Sequence, residues 1–360
     1  MKNIYFLLLL LTCSSSLIIA QTVHIVDNNQ GSAAPYTNVQ DAVDAAADND
    51  IIYIQPSPNS YGSIQMTKPL KIYGLGYKPE LNSGQRASVS NVAFRHGNAS
   101  GSEISGLNIT EIYLDNTTFE NHDVLITNNR IRTIFGNSST SNANNVIIAG
   151  NVFITWSFSI DNNNSQNWII SNNLFAKQTT SSTSYIFSRL KNSTILSNNI
   201  IWSTQNGDTN QSISVFNACN GTQISNNIFL FTGTNLVNMN LGSNSALSYQ
   251  NNLTYSLNTT LDALSGSNNI DNTDPQFVAY TIGSSLESAS NDFNIQTSSP
   301  AENAGTDGNN LGVYNGLFPF SQRGYPTELP YLTDFVIFNN IISPGETLDI
   351  NIKANANIND

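Results

Sequence analysis

One six-residue phrase recurs through the middle of the chain and narrows what it can fold into. It reads apolar, any residue, Asn or Gly, Asn, any residue, apolar. The copies begin Ile126-Thr127-Asn128-Asn129, Ile148-Ala149-Gly150-Asn151, Ile170-Ser171-Asn172-Asn173, Leu196-Ser197-Asn198-Asn199 and Ile224-Ser225-Asn226-Asn227, with a weaker Tyr249-Gln250-Asn251-Asn252. The last asparagine of each falls at 129, 151, 173, 199, 227 and 252, so the spacings are 22, 22, 26, 28 and 25 residues. A degenerate copy, Ile104-Ser105-Gly106-Leu107, lies 22 residues upstream with Leu107 in the asparagine slot.

A period of this length means one supersecondary unit per repeat, stacked on its neighbours. There is no leucine frame and no helical return, so a leucine-rich repeat is excluded. The repeats are short β-rich runs cut by Asn, Ser, Gly and Thr, which suits a parallel β-helix with one coil per repeat. Val146-Ile147-Ile148, Trp168-Ile169-Ile170 and Thr194-Ile195-Leu196 lead into the phrase. Thr133-Ile134-Phe135, Trp156-Ser157-Phe158, Tyr185-Ile186-Phe187 and Ile213-Ser214-Val215-Phe216 supply a middle strand, giving three strands per coil. The repeated asparagine is expected at a turn needing left-handed backbone angles, its amide bonding to its counterparts up the stack. Asp123, Asn145 and Asn167 form a second lane six residues earlier.

Charged residues are 11% of the 360, well under the roughly 25% of an average soluble chain. The apolar residues are too periodic for disorder. A net charge of -12 excludes nucleic acid as a partner and disfavours acidic surfaces, including an acidic polysaccharide unless a cationic groove or bound calcium offsets the field. The two cysteines, Cys13 and Cys219, cannot form a disulfide framework because the first lies in the leader.

Met1 to Ala20 reads as a secretory signal peptide, with Lys2 at its start, an apolar run over 4–11 and cleavage before Gln21. A lipoprotein would carry its lipid on Cys13, although Thr12 is larger than the residue usual before a lipidated cysteine. No other segment is long and apolar enough to span a membrane as a helix. The expected product is a monomer, secreted or held at the cell surface. Val39, Ala42, Val43 and Ala46 fall at helical spacing and suggest a helix capping the open end of the stack.

The string Tyr36-Thr37-Asn38-Val39-Gln40-Asp41-Ala42-Val43, followed by Asp50-Ile51-Ile52-Tyr53-Ile54 and Leu70-Lys71-Ile72-Tyr73-Gly74, resembles the amino-terminal cap of the pectin-lyase-like superfamily. That resemblance implies an all-β fold, a single right-handed parallel β-helix over 21–316. Asp274-Pro275-Gln276-Phe277, Ser299-Pro300-Ala301 and Leu311-Gly312-Val313-Tyr314 resemble the terminal coils of secreted bacterial β-helix proteins, and suggest closing coils. A linker is expected over 317–330. A β-hairpin tail is expected over 331–360, covering the end of the stack or docking a partner.

Enzymes of this superfamily cleave acidic polysaccharides by β-elimination, with a basic residue and a cation, or by hydrolysis with paired carboxylates. The polygalacturonase motifs are missing except Asn272-Thr273-Asp274, where Asp274 is assigned to an Asp-Pro turn. For elimination the candidates are Arg130, Arg132, Arg189 and Lys191, with Glu111, Asp115 and Asp123 as ligands for calcium. The alternative is surface ion pairing, Glu111 with Arg132 or Asp123 with Arg130. Val152, Leu174, Ile200 and Ile228, then Ile154, Trp202, Leu230 and Tyr255, form an apolar set after each asparagine. Either these face outward, under loops or under sugar rings stacked on Trp202 and Tyr255, or the inward phase slips by one residue there. Two functions remain open: a secreted protein that binds or cleaves an extracellular polysaccharide, and a non-catalytic adhesive solenoid.

Overall fold

The computed structural model describes residues 21–81, 84–114, 118–136, 142–155, 160–162, 165–177, 184–191, 193–203, 212–233, 236–241, 244–281, 288, 290–326, 329–338 and 344–355. The leader with Cys13, Asp115, Trp156-Ser157-Phe158 and the loops at 178–183 and 204–211 lie outside the described residues. The chain winds as a right-handed parallel β-helix of about 8 turns. Sheet A, of 11 strands, takes the strand before each asparagine phrase, and sheet B, of 13, takes the strands after it. In the early coils the sheet B strand runs unbroken round a bend, as in Asn108–Tyr113 and Arg130–Gly136. From the next coil it divides, first into Val152–Thr155 and Ile160–Asn162, and three strands per coil follow from there.

Ile126, Ile148, Ile170, Leu196 and Ile224 sit directly over one another in sheet A and are all buried. Phe153 and Phe175 stack at 4.5 Å in the same interior. At the corner that follows, two consecutive residues divide the work. The first turns the chain, with positive φ at Gly106, Asn128, Gly150, Asn172, Asn198, Asn226 and Asn251. The second points inward and builds the ladder. Asn151 Nδ2 donates to Asn173 Oδ1 (3.0 Å), Asn173 to Asn199 (3.0 Å), Asn199 to Asn227 (2.9 Å) and Asn227 to Asn252 (3.0 Å). Each Oδ1 also accepts the backbone N–H of the asparagine one coil earlier, as Asn173 does from Asn151 at 2.9 Å. The left-handed angle therefore belongs to the residue before the expected one. Leu107 ends the ladder, giving its N–H to Asn129 Oδ1. Asn269 extends it from a coil only 17 residues on.

The helix Val39–Ala45 starts at Asn38, whose side chain accepts from Gln40 N, and buries Val39, Ala42 and Val43 against the first strands. Leu261 and Leu264, after the strand Leu253–Ser256, join the interior core near the other end. The tail strands Tyr331–Ile337 and Ile350–Asn355 pair with each other in a separate two-stranded sheet, and Phe338 and Ile352 stay exposed.

Among the described residues of 274–316, no strand continues the coils expected there. The strands Phe277–Ala279 and Asp292–Ile295 pair antiparallel, outside both long sheets. The chain then runs back along the outside of the solenoid as a strap. Asn251 Nδ2 donates to Ala304 O at 2.7 Å, Asn226 Nδ2 to Thr306 Oγ1 at 3.0 Å, and Asn172 Nδ2 to Val313 O at 2.8 Å. Farther back, Gly324 lies on the Tyr77 ring and Pro326 on Gly106, so the stretch expected as a linker is packed as well. The cause is the outward apolar set. Val152, Leu174, Ile200, Ile228 and Leu253 face away from the interior, and Phe277, Phe293, Ala301, Leu311, Val313 and Phe320 bury them in a second core. At about 25 cal/mol per Å² of apolar surface, an uncovered stripe five coils long would be costly.

Candidate functional site

The sheet register brings Glu111 and Arg132 together, the one ion pair that two of the charged candidates form with each other among the described residues. Glu111 sits opposite Thr133 on the next coil. Arg132 reaches across to its carboxylate, which also accepts from the Tyr113 hydroxyl. Tyr113 stacks at 5.1 Å on Phe135 of the next coil, and the Arg95 guanidinium lies 4.1 Å from the Tyr113 ring centroid. With rings stacked on each other, this row is closed to a flat sugar. Arg130 gives an N–H to Asn108 Oδ1 (3.1 Å). Asp123 accepts from Asn145 Nδ2 (2.9 Å) on the exposed corner lane, so the expected Asp123–Arg130 pair does not form. Arg189 holds Asp161 through both carboxylate oxygens, one of them at 2.8 Å from Nε. Its partner is almost fully buried, at 4% exposure, while Arg132 is half-exposed and Glu111 keeps 20% of its side chain in water. Lys191 is half-buried just beyond Arg189. Among the described residues no three His, Cys, Asp or Glu side chains converge, and Glu111 and Asp123 stand on separate elements, a strand and a turn.

The outward phase after each asparagine is real and does not slip. Trp202 faces out but is 1% exposed, its Nε1 donating to Thr232 Oγ1 (3.1 Å) and its ring meeting Tyr280 edge-on at 5.6 Å. It is covered by the strap and cannot stack a sugar. Tyr255, two coils further along the same lane, stays half-buried at a pocket of about 290 Å³. Leu230, Thr232, Tyr255 and Leu257 form the solenoid wall; Asp274, Gln276, Phe277, Tyr280 and Gln296 form the strap wall. Asp274 keeps its turn role, accepting from Gln276 N at 2.9 Å. Burial pushes the Tyr280 phenol up to about 12, against a smaller opposing effect of the nearby Thr232 hydroxyl, so it stays protonated. The strap residues here were not identifiable from the repeat, since they lie beyond its last copy.

A second recess of about 490 Å³ opens on the outer face of sheet A. Its floor carries Ile169, Ile195, Ser171, Ser197 and Ser225, and its rim carries Asp307 and Leu317 of the strap. The strap is the ridge between the two cavities and contributes a wall to each.

No protein-family profile matches the chain, and no curated protein matches its sequence. Among solved structures it is similar to a pectin methylesterase from Aspergillus niger, at 12% identity over 71% of this chain and 86% of that one, with a TM-score of 0.30. It is also similar to a pectin methylesterase in complex with a hexasaccharide, at 11% identity over 68% of this chain and 92% of the other, with a TM-score of 0.29. Likeness of this degree carries no chemistry from one chain to the other.

Proposed function

We propose that the protein is a secreted, non-catalytic carbohydrate-binding β-helix that takes a sugar ring of an extracellular polysaccharide into the Tyr255 pocket. The observation that carries this reading is the pocket itself. It sets the Tyr255 and Phe277 rings beside the hydrogen-bonding side chains of Asp274, Gln276, Gln296 and Thr232. Apolar faces with a few convergent polar groups are what a pyranose requires. The apolar leader over 1–20 supports secretion. Cleavage by β-elimination has less support, because Arg132 and Arg189 are each engaged by a carboxylate rather than presented to an open cleft. The adhesive reading draws on one further observation, the exposed apolar residues of the hairpin tail, and is compatible with binding through the flank.

Affinity electrophoresis through gels containing pectate, alginate, a glycosaminoglycan or a neutral glycan tests the proposal. Retardation by at least one polymer, lost in Tyr255→Ala, is the expected result. Equal mobility in all gels, or retardation unchanged in Tyr255→Ala, overturns it.

A further inference from the structure

The corner asparagines that face the strap do not all do the same thing. Asn172, Asn226 and Asn251 each give their amide N–H to a strap atom. Asn198 sits between Asn172 and Asn226 in the same lane, in the same left-handed conformation, and is only 5% exposed. Yet its side-chain amide has no hydrogen bond with any described residue. The strap passes it with Gly316, where a Cβ would come within 3.1 Å of the amide. The amide is not fully sealed from solvent, so a ligand can reach it. Here it lines the recess on the outer face of sheet A.

The surroundings restrict what could complete it. Ile195 and Leu317, 37% and 82% exposed, give the recess two open aliphatic surfaces. The Ser171 and Ser197 hydroxyls lie along the coil axis, Ser197 donating to Ser171 at 3.3 Å and Ser171 to Asn172 Oδ1 at 2.6 Å, so toward a ligand they serve as acceptors. Asp307 is the one charged residue of the lining. The Asn309 side-chain amide holds the Asp307 carboxyl below its usual range, against the opposing effect of desolvation, so it is ionised at neutral pH. A uronate would meet this negative charge with no cation in the lining to offset it. An amide with both its N–H and C=O uncommitted matches another amide, donating to its carbonyl and accepting from its N–H. A methyl group next to that amide would lie against Ile195 or Leu317.

We infer that the recess over Ile169, Ile195 and Asn198 is a second binding site, for the acetamido group of a neutral N-acetylated hexosamine chain. It goes beyond the sugar site at Tyr255, from which the strap separates it. The glycan lies along the solenoid axis, with one acetamido group on Asn198 and its hydroxyls toward Ser171 and Ser197.

Isothermal titration of the full chain with tri-N-acetylchitotriose, cellotriose and trigalacturonate tests this. The acetamido trimer is expected to bind at least about tenfold tighter than cellotriose, the loss of one good hydrogen-bonding pair. Asn198→Gly keeps the left-handed backbone and removes the amide, and is expected to abolish that preference with an unchanged far-UV spectrum. Ile195→Glu, on a side chain already open to water, is expected to weaken the acetamido trimer as well and serves if Asn198→Gly fails to fold. Tyr255→Ala is expected to leave binding of this trimer intact. Equal affinity for the two neutral trimers, tighter trigalacturonate, no binding of the acetamido trimer, or full binding by both recess variants overturns the inference. Loss of binding in Tyr255→Ala alone also overturns it, while leaving the first sugar site standing.

Discussion

Asn172 and Val313 are 141 residues apart in the chain and 2.8 Å apart in space, joined by a hydrogen bond from the Asn172 amide to the Val313 carbonyl. Val313 is 1% exposed, packed in the core shared by solenoid and strap. Val313→Asp should therefore unseat the strap and leave the coils wound. The expected cost is roughly 2–4 kcal/mol, that of burying an unpaired charge or exposing the stripe beneath. Limited proteolysis should then cut first within 299–326 at unchanged far-UV circular dichroism. Equal protease resistance in variant and parent would show that the strap does not depend on this contact.

The ladder should behave differently, because it lies inside the coils. Asn173 donates to Ile148 O, Ser171 O and Asn199 Oδ1, and accepts from Asn151. Asn173→Ala orphans several buried groups at once, each worth about 1–3 kcal/mol. A loss of roughly 3–5 kcal/mol in chemical denaturation is expected. Asn145→Gly, which keeps the left-handed backbone of this exposed lane, should cost less than about 1 kcal/mol.

These two cases mark what the sequence made legible. The twenty-odd-residue phrase places the inward asparagines because identical corners need identical groups, and ladder hydrogen bonds tie residues one period apart. Asn269 escaped because its coil is only 17 residues long. The left-handed residue is the one before the ladder asparagine, not the ladder asparagine itself as the repeat led one to expect. The strap has no period, since it crosses the coils rather than repeating with them. Its one signal was indirect: an outward apolar set from Val152 to Leu253 has to be covered by something. Trp202 was expected at a sugar surface for the reason that hides it, an apolar outer face that the chain buries for itself. Asn198 could not be singled out, because its distinction lies in what the strap leaves unbonded.

Lys177 gives a pH dependence. It lies in the wall of the solenoid at 1% exposure, its ammonium donating to Tyr185 O at 3.0 Å. Burial lowers its pKa from 10.5 to about 7. Between these values the unfolded chain binds more protons than the folded one, so stability rises with pH across that window. The contribution is at most ~1.4 kcal/mol per pH unit. Below about 7 the full penalty is present. Lys177→Met should be more stable than the parent at pH 6, and the gap should narrow as pH rises toward 10. A gap independent of pH would contradict this.

Two arginines with the same chemistry should differ in consequence. Arg132 is half-exposed and its partner Glu111 still reaches water, at 20%, so Arg132→Ala should cost only about 1 kcal/mol and leave polysaccharide retardation unchanged. Arg189→Ala strands the buried Asp161 carboxylate and should cost roughly 3–5 kcal/mol. Thermal melts of the two variants check the contrast. A cost for Arg132→Ala as large as that for Arg189→Ala would contradict it.

Both proposed sugar sites borrow a wall from the strap, so its course along the flank can be tested by cross-linking. Asn226 and Thr306 are 80 residues apart and exchange two hydrogen bonds, Thr306 N to Asn226 Oδ1 at 2.9 Å and Asn226 Nδ2 to Thr306 Oγ1 at 3.0 Å. Cys219, buried and with its thiol pushed up to about 11, will not compete for oxidation. Asn226→Cys with Thr306→Cys should form a disulfide on mild oxidation. Fragments cut between the two positions should then stay joined until reduced. Free thiols at both positions in a folded chain, with fragments that separate without reductant, would show that the strap lies elsewhere.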